Sequence, residues 1–448
     1  MGESERLVET IKELLGGGRE ERLAALLEDA HAADIASAVR ELDLADQVRL
    51  FRLLDTDHAG AVLSELDDPT AREILRSLDE TEVSRILERM PADHVVEVVE
   101  ELPREEAEKI LDLMEEEKSE EVQELLEYGE GTAGRLMSTD FVAVHEAATV
   151  GQAIEHIRKS KSGDDAFYLY VVDDHEHLVG MVPLHRLLTA APSTPIHVVR
   201  NEDVASVTVD TDQEEVARLV QRYDLIQVPV VDASRRLLGT ISVDDVIDII
   251  NEEATEDIQR FAGAAGDETV LDPPQAVFRK RLIWRLINLG TAVLAASVIG
   301  VFESSIQALA TLAVFMPIVA SMGGIGTTQT ATVVVRGIAL GEMTGSVLRR
   351  VLRKELWLGL TTGAATGLVL AVIAYAWKGQ LLLSVILGVA LLFNMVVAAV
   401  VGTLVPVALR TFRIDPAIAS SVIVTTFTDV LGFFSFLGLS TLLIRFLL

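Results

Sequence analysis

Residues 381–409 read LLLSVILGVALLFNMVVAAVVGTLVPVAL, a run without a single charged side chain. A helix of about 20 apolar residues crosses the hydrocarbon core of a bilayer, so this run is long enough to span a membrane. Four more apolar runs flank it, and a soluble core rarely contains five in succession. The predicted spans are Leu282–Val301, Ile306–Leu340, Leu356–Trp377, Leu381–Leu409 and Ala417–Leu443. They predict a five-helix α transmembrane domain over residues 271–448.

The remainder of the chain has the opposite composition. Residues 1–270 carry 63 acidic and 25 basic side chains, whereas residues 271–448 carry 6 acidic and 13 basic ones. A strongly acidic surface argues against nucleic acid as a partner and attracts cations or basic surfaces instead. The chain contains no cysteine, which excludes disulfides and thiolate metal sites.

Basic residues near the ends of the predicted spans indicate the orientation in the membrane. One side carries Arg279, Lys280, Arg281, Arg285, Arg349, Arg350, Arg353, Lys354, Arg410 and Arg413, and the other carries Lys378 and Arg445. The richer side is expected in the cytosol. The N-terminus lacks the apolar core of a cleavable signal peptide, so residues 1–270 are expected there too. Five spans then predict a C-terminus outside.

Asp429 is the one acidic residue that falls deep inside a predicted span, within the segment TTFTDVLG at 425–432. A carboxylate in hydrocarbon is costly, so such a residue usually faces a polar cavity and marks an ion path. Thr425 and Thr428 lie four residues and one residue earlier, close enough to share its helix face. We assign these three as pore ion-binding residues. The alternative is a structural aspartate that caps a neighbouring helix.

The second predicted span contains Pro317, Gly323 and Gly324. Proline and clustered glycine weaken a helix, which predicts a helix break in the pore, because broken helices at membrane depth are tolerated where they line water. The alternative is small residues for close helix packing. Asn288 and Asn394 are weaker candidates, since buried amides commonly form ordinary interhelical hydrogen bonds.

Residues 129–243 contain an internal repeat with an offset of 59 residues. The segment at 170–180 recurs at 229–239, and each copy reads strand, helix, strand, turn, strand, helix. This pattern resembles a tandem pair of CBS domains, an α/β regulatory module that often binds adenine nucleotides.

The CBS resemblance implies a nucleotide-docking pair, a Ser or Thr followed three residues later by Asp. Ser242 and Asp245 match it in the second copy, whereas the first copy has Pro183 and Arg186. ATP binding at the pair is therefore left open.

Residues 1–128 are predicted to form an acidic, all-α helical-repeat domain. Apolar side chains recur every 12 positions, in one series from Leu54 to Met114 and in another from Leu63 to Leu111. Turn-like segments such as 66–69 (LDDP) separate the short helices, which indicates a small solenoid. The repeated apolar positions are assigned to its core.

Residues 244–270 are predicted as a connecting segment that begins with one acidic helix. Its acids form two rows, Asp245, Asp248, Glu252 and Glu256 in one, and Glu253 and Asp257 in the other. Like charges at this spacing destabilise a helix unless cations neutralise them. Carboxylate oxygens are the ligands that Mg²⁺ and Ca²⁺ prefer, so the rows predict cation binding. The alternative is a solvated acidic face.

These parts, in this order and over nearly the whole chain, resemble the MgtE family of magnesium channels. The most specific matches are YGEGTAGRLM at 128–137, VDDVIDIINEEATEDI at 243–258 and TFTDVLG at 426–432. The resemblance implies a homodimer with the pore on its axis, hydrated Mg²⁺ at Asp429, and a connecting helix that acts as a plug. The chain departs from the family at 323–329, where GGIGTTQ replaces Gly-Gly-Asn-x-Gly-x-Gln.

The resemblance also implies regulatory Mg²⁺ ligands in the cytosolic part. The matching acids are Asp93, Glu97, Glu214, Asp224, Asp245, Asp248, Glu253, Glu256 and Asp257. At low Mg²⁺ these acids would repel and the connecting helices would stand apart. At high Mg²⁺, bridging ions would hold a compact, closed state.

The expected function is a Mg²⁺-selective, divalent cation channel of the inner membrane, gated by cytosolic Mg²⁺. Its expected partners are divalent cations, the lipid bilayer and a second copy of the chain, without nucleic acid. Two alternatives stay open: a secondary transporter that couples Mg²⁺ to H⁺ or Na⁺, and a membrane sensor without flux. No enzymatic activity is expected, because the sequence offers no nucleophile–base pair and no phosphate-binding glycine loop followed by lysine.

Overall fold

Short helices, two small sheets and a set of long apolar helices follow one another along the chain. The structure, a computed structural model, describes residues 3–100, 102–160, 166–270 and 272–447. It divides into two units, Met1–Ile250 and Asn251–Leu448, which are described separately below.

The first unit begins with ten helices. They are α1 (Glu3–Gly16), α2 (Glu20–Asp29), α3 (Ala32–Val39), α4 (Leu44–Phe51), α5 (Thr56–Ser64), α6 (Asp68–Ser77), α7 (Glu80–Leu87), α8 (Ala92–Glu100), α9 (Arg104–Leu113) and α10 (Glu116–Glu127). Helices two apart contact each other, as α3 contacts α5 and α5 contacts α7. The prediction that the apolar positions repeated every 12 residues form the core is confirmed, since Leu63, Leu87 and Leu111 are all buried.

Four aspartates, also 12 residues apart, begin successive helices of this stack. Asp43, Asp55, Asp67 and Asp79 are the N-caps of α4 to α7, and each carboxylate accepts a hydrogen bond from the third backbone N–H of its helix. Such caps satisfy otherwise unpaired amides at the helix start and stabilise it by about 1 kcal/mol each. Part of the acidic excess therefore has a structural cause.

The first unit continues with two copies of one α/β motif. Its elements are α11 (Ala133–Leu136), β1 (Ala143–His145), α12 (Val150–Lys159), β2 (Tyr168–Val172), β3 (Leu178–Pro183), α13 (Leu184–Thr189), α14 (Ile196–Val199), β4 (Val207–Thr208), α15 (Gln213–Tyr223), β5 (Gln227–Val231), β6 (Leu237–Ser242) and α16 (Val243–Phe261).

The two sheets have the same topology and register. β1 pairs parallel with β2 and β2 antiparallel with β3, and β4, β5 and β6 repeat this order. Val171 lies opposite Gly180 and Val230 lies opposite Gly239, so the register repeats at the 59-residue offset of the sequence. The predicted tandem pair is confirmed, and its second copy shares one apolar core with the helical stack.

The last element of this series, α16, confirms that one helix carries both acidic rows. Its residues 251–261 belong to the second unit. The second unit continues with α17 (Pro274–Val301), α18 (Glu303–Ala308), α19 (Thr311–Ala339), α20 (Gly345–Lys378), α21 (Leu381–Thr411), α22 (Pro416–Leu442) and α23 (Ile444–Leu447). Within the described residues, five of these helices are long and apolar enough to cross a membrane: α17, α19, α20, α21 and α22. The predicted fold class is thus confirmed.

Helix α21 lies between its neighbours and contacts α19, α20 and α22. Close approach to α20 depends on glycines at every fourth position of that helix. A Cβ at Gly359 would lie 2.9 Å from the Met395 carbonyl oxygen, and one at Gly367 would lie 2.6 Å from the Gly388 carbonyl oxygen. Small residues at this spacing let two membrane helices pack backbone to backbone.

The predicted helix break at Pro317, Gly323 and Gly324 is wrong. α19 is helical without interruption from Thr311 to Ala339, and Pro317 lies on its exposed side. Glycine weakens isolated helices in water, but here the buried glycine Gly323 accommodates a side chain of α21. The close-packing alternative is the correct one for Gly323.

Candidate ion path and metal-binding sites

Asp429 lies in the middle of α22, half-buried among apolar residues. The part of the chain that the structure describes places no hydrogen-bond donor on its carboxylate. A carboxylate inside a membrane helix is costly unless water, an ion or a protein group solvates it. Its position therefore suits contact with a polar path rather than the predicted alternative of a helix cap.

The two threonines near Asp429 differ in their surroundings. Thr428 is fully buried, and its hydroxyl donates to the Thr425 carbonyl oxygen at 2.9 Å, within its own helix. Thr425 is half-buried, and its side chain lines a cavity of about 470 Å³ together with Trp284, Asn288 and Val422. Thr425 thus borders an open cavity, whereas Thr428 is enclosed.

The amide of Asn394 lies where three membrane helices meet. It is fully buried, and its Nδ2 donates to the Val319 carbonyl oxygen of α19 at 3.0 Å. It therefore forms the interhelical hydrogen bond that the sequence suggested. Asn288, by contrast, is exposed on α17.

Glu355 is a second acid within a membrane helix, which the sequence analysis missed. Its carboxylate is buried in α20, accepts a hydrogen bond from the Thr330 hydroxyl of α19 at 3.1 Å and pairs with Lys354 at 3.1 Å. The predicted span began one residue later, at Leu356, because the charges of Arg353 and Lys354 interrupt the apolar run of the sequence. In the structure, α20 continues through them.

An acid cluster forms where the last turns of α16 meet the start of α22. Arg260 donates to Asp415 Oδ2 at 2.6 Å and also pairs with Glu256. Burial, followed by the negative charges of Asp415 and Glu253, raises the pKa of Asp257 to about 6. Glu253, Glu256 and Asp257 of α16 thus lie near Asp415, and Arg260 supplies positive charge among these acids.

Asp415 was not predicted as a site residue. Its side chain accepts a hydrogen bond from the Ala417 backbone at 2.8 Å, and it is the N-cap of α22. An Asp before a Pro at the start of an apolar run is a helix-start signal, which identifies the cap. Its contact with α16 spans 155 residues of sequence and has no local signal.

A second acid pair lies within the first unit. Asp93, in the first turn of α8, is buried, and its Oδ1 has no hydrogen-bond partner among the described residues. Burial, together with the charge of Asp245, raises its pKa. Burial also raises the pKa of Asp245, and His94 Nε2 lies 4.0 Å from Asp245 Oδ1. The structure therefore brings together two of the predicted regulatory acids.

The remaining predicted acids are not brought together in this way. Glu97, Asp224 and Asp248 are exposed, and Asp224 caps α15 in a left-handed conformation with φ of 50°. Glu214 pairs with Arg218 at 3.0 Å on α15. Across the described residues, no group of three or more His, Asp or Glu side chains has the arrangement of a complete metal site.

The predicted nucleotide pair is in contact in the second copy. The Ser242 hydroxyl donates to the Asp245 carboxylate, whose other oxygen faces His94. In the first copy, Arg186 donates to Asn201 Oδ1 at 2.8 Å instead. The two copies thus share a fold but present different side chains at the corresponding place.

Comparison with known families matches three regions of the chain. The MgtE intracellular N domain matches residues 30–131, the CBS domain matches 133–193 and 197–252, and MgtE, described as a divalent cation transporter, matches 316–439. The magnesium transporter MgtE of Thermus thermophilus is 36% identical over 321 residues, which is 71% of each chain. That of Bacillus subtilis is 31% identical over 319 residues, again 71% of each.

Two solved structures resemble the first part of the chain. The soluble part of a magnesium transporter is 31% identical with a TM-score of 0.53, over 56% of this chain and 100% of that one. The cytosolic domain of the Mg²⁺ channel MgtE in complex with ATP is 34% identical with a TM-score of 0.52, over 54% of this chain and 99% of that one.

Proposed function

Because the chain belongs to the MgtE family of divalent cation transporters, we propose that it conducts Mg²⁺ through a membrane pore, which cytosolic Mg²⁺ closes. The single observation that carries the pore assignment is the half-buried Asp429 carboxylate in the middle of a membrane helix. No enzymatic reaction is part of this proposal.

The pore is proposed to lie between two copies of the chain. A two-fold axis beside α22 would bring two Asp429 carboxylates to face each other. Mg²⁺ sheds its water reluctantly, so the pair would hold the hydrated ion. Paired carboxylates attract a divalent cation more strongly than a monovalent one, because Coulomb energy scales with charge.

The acids around Asp415 are the proposed gate. Asp257, Glu253 and Asp415 repel one another when all are ionised, and this repulsion favours separation of α16 from α22. A Mg²⁺ ion between them would remove the repulsion and hold α16 in place. Such an ion closes the pore only if it binds this arrangement more tightly than the separated one.

Asp93 and Asp245 are proposed as a second regulatory site. Burial disfavours the ionised form of both carboxyl groups, and the negative charge of Asp245 also disfavours ionisation of Asp93. Mg²⁺ in proteins usually keeps several waters and takes one or two carboxylates. The pair of Asp93 and Asp245 fits this pattern, with water completing the shell of the ion.

The other predicted regulatory acids are proposed to bind Mg²⁺ through its water shell or to attract cations through their negative electrostatic potential. Exposed carboxylates such as Glu97 and Asp248 raise the local cation concentration without fixing an ion. The N-terminal unit is proposed to lie in the cytosol, with the bilayer around α17 and α19 to α22. ATP is proposed at the second copy alone, where Ser242 and Asp245 are paired.

Currents through the purified chain in planar bilayers test this proposal. With Mg²⁺ as the charge carrier, we expect discrete single-channel currents that cease when millimolar Mg²⁺ is added to the side of the N-terminal unit. Asp415→Ala should conduct and require more Mg²⁺ to close. Saturable exchange of Mg²⁺ for H⁺ or Na⁺ without discrete currents would instead establish the transporter alternative.

A further inference from the structure

The strongest feature that the proposed function leaves unused is the junction of Gly323, Asn394 and Gly432. These residues belong to α19, α21 and α22 respectively. A Cβ built on Gly432 would lie 2.7 Å from Asn394 Nδ2 and 3.0 Å from its Cγ. A Cβ on Gly323 would also collide with the same amide. Asn394 therefore fills the space that both glycines leave open.

This junction lies beside Asp429. Gly432 is three residues after Asp429, in the next turn of α22. On the other side, Gly324 approaches Thr425, whose methyl group would lie 3.8 Å from a Cβ at 324. Gly324 of α19 thus approaches α22 about one turn before Asp429. About one turn after it, Asn394, which also packs against Gly323, separates Gly432 of α22 from α19.

Packing alone does not explain an asparagine at this place. Its Nδ2 is used by the Val319 carbonyl oxygen, but its Oδ1 is buried without a hydrogen-bond partner among the described residues. A buried acceptor without a donor disfavours the folded state, and an apolar side chain would avoid that penalty. The amide is therefore retained at a cost to stability.

We propose that Asn394 is a positioning residue for the ion path: wedged between Gly323 and Gly432, it fixes the placement of the Asp429 carboxylate and so determines discrimination between divalent cations. This proposal rests on the proposed function, because it requires that Asp429 contacts the transported ion. Asn394 would act through its contact with Gly432 of α22 rather than as a ligand of the ion.

The physical reason is geometric. Both ions are octahedral in water, but Mg²⁺ is smaller, has shorter bonds to its waters and sheds them more reluctantly. A carboxylate that holds the hydrated ion can therefore distinguish Mg²⁺ from Mn²⁺ by the size and rigidity of the water shell. A displacement of α22 against α19 changes this fit. Truncation of Asn394 removes both the wedge and the hydrogen bond to Val319, so α22 is free to shift.

The test uses the full chain in liposomes and compares initial uptake rates of Mg²⁺ and Mn²⁺. Asn394→Ala should change the ratio of the two rates by about threefold or more. Gly432→Ala should lower both rates by about tenfold, because its methyl group collides with the amide. Gly300→Ala is the matched control, since a Cβ there meets nothing within 4 Å, and it should behave as wild type.

The double variant Asn394→Ala/Gly432→Ala decides between positioning and damage. The three atoms nearest to a Cβ at 432 all belong to the Asn394 side chain, so its truncation makes room for the methyl group. The double variant should therefore recover the rates of Asn394→Ala, or recover folding if Gly432→Ala alone does not fold.

Three outcomes have distinct meanings. An altered Mg²⁺ to Mn²⁺ ratio in Asn394→Ala, together with rescue in the double variant, supports the proposal. A lower rate with the wild-type ratio in Asn394→Ala, or a double variant no better than Gly432→Ala, overturns it. Absence of Mg²⁺ uptake by the wild type overturns the proposed function instead.

Discussion

Replacing Asp257 with asparagine should stabilise the docked state of α16, in which Arg260 pairs with Asp415. Burial and the charges of Asp415 and Glu253 raise the pKa of Asp257 from 3.8 to about 6. At about 1.36 kcal/mol per pKa unit, this corresponds to an upper bound of about 3 kcal/mol. Solvent screening of a half-buried group lowers the figure to about 1–2 kcal/mol. Asparagine removes the charge and keeps the shape.

Hydrogen exchange of residues 251–261 in the full chain, without Mg²⁺ at pH 7.5, measures this change. A gain of about 1–2 kcal/mol slows exchange through local opening by a factor of about 5–30. Asp248→Asn, on an exposed position of the same helix, is the control and should exchange as wild type. Exchange in Asp257→Asn as fast as in the wild type, or faster, would show that the charge of Asp257 does not oppose the docked state of α16.

The pH dependence of the wild type follows from the same raised pKa. Because the docked state binds the proton more tightly than the separated state, docking is most favourable below about pH 4 and loses stability as pH rises through about 6. After correction for intrinsic exchange, the wild type should therefore open more often at pH 7.5 than at pH 5. Asp257→Asn should lack this component.

Three further variants test the surroundings of the proposed sites. Burial raises the pKa of Asp93 and so disfavours its ionised form. Asp93→Asn removes this charge, so calorimetry without Mg²⁺ should show a higher melting temperature of the N-terminal unit, by about 2–4 °C per kcal/mol gained. Glu355→Ala leaves the Thr330 hydroxyl without its acceptor, so denaturant unfolding should show a loss of about 1–3 kcal/mol, whereas Glu355→Gln retains most of the stability. Gly367→Ala should destabilise the membrane unit by about 1–3 kcal/mol, because its methyl group would meet the Gly388 carbonyl oxygen at 2.6 Å.

The parts of the fold that depend on periodicity were predictable. Apolar runs of membrane length predicted α17 and α19 to α22, because hydrocarbon imposes the length and the internal hydrogen bonding of a helix. The offset of 59 residues predicted two copies of one motif, and the observed strand register of Val171 and Val230 repeats at the same offset. The period of 12 predicted the core of the helical stack, although not that aspartates such as Asp55 cap its helices.

Tertiary contacts account for what the sequence did not predict. Glycine and proline suggested a broken α19, but Gly323 serves the approach of Asn394 and the helix continues. Asp415 reads as a helix cap, and only the fold brings it to Arg260 and Asp257. The domain bounds and the individual Mg²⁺ ligands stay predictions. Residue spacing shows which carboxylates share a helix face, but not which of them bind an ion.

Mg²⁺ uptake by liposomes that contain Asp429→Asn measures whether this carboxylate serves the ion path. Asparagine matches aspartate in shape, so the variant should fold and assemble as the wild type does, and Glu303→Gln provides a control at an exposed acid of α18. We expect the control to transport Mg²⁺ normally and Asp429→Asn to lose uptake, because one charge per chain is removed from the ion path. Wild-type uptake by correctly folded Asp429→Asn would show that the ion path does not need the Asp429 carboxylate.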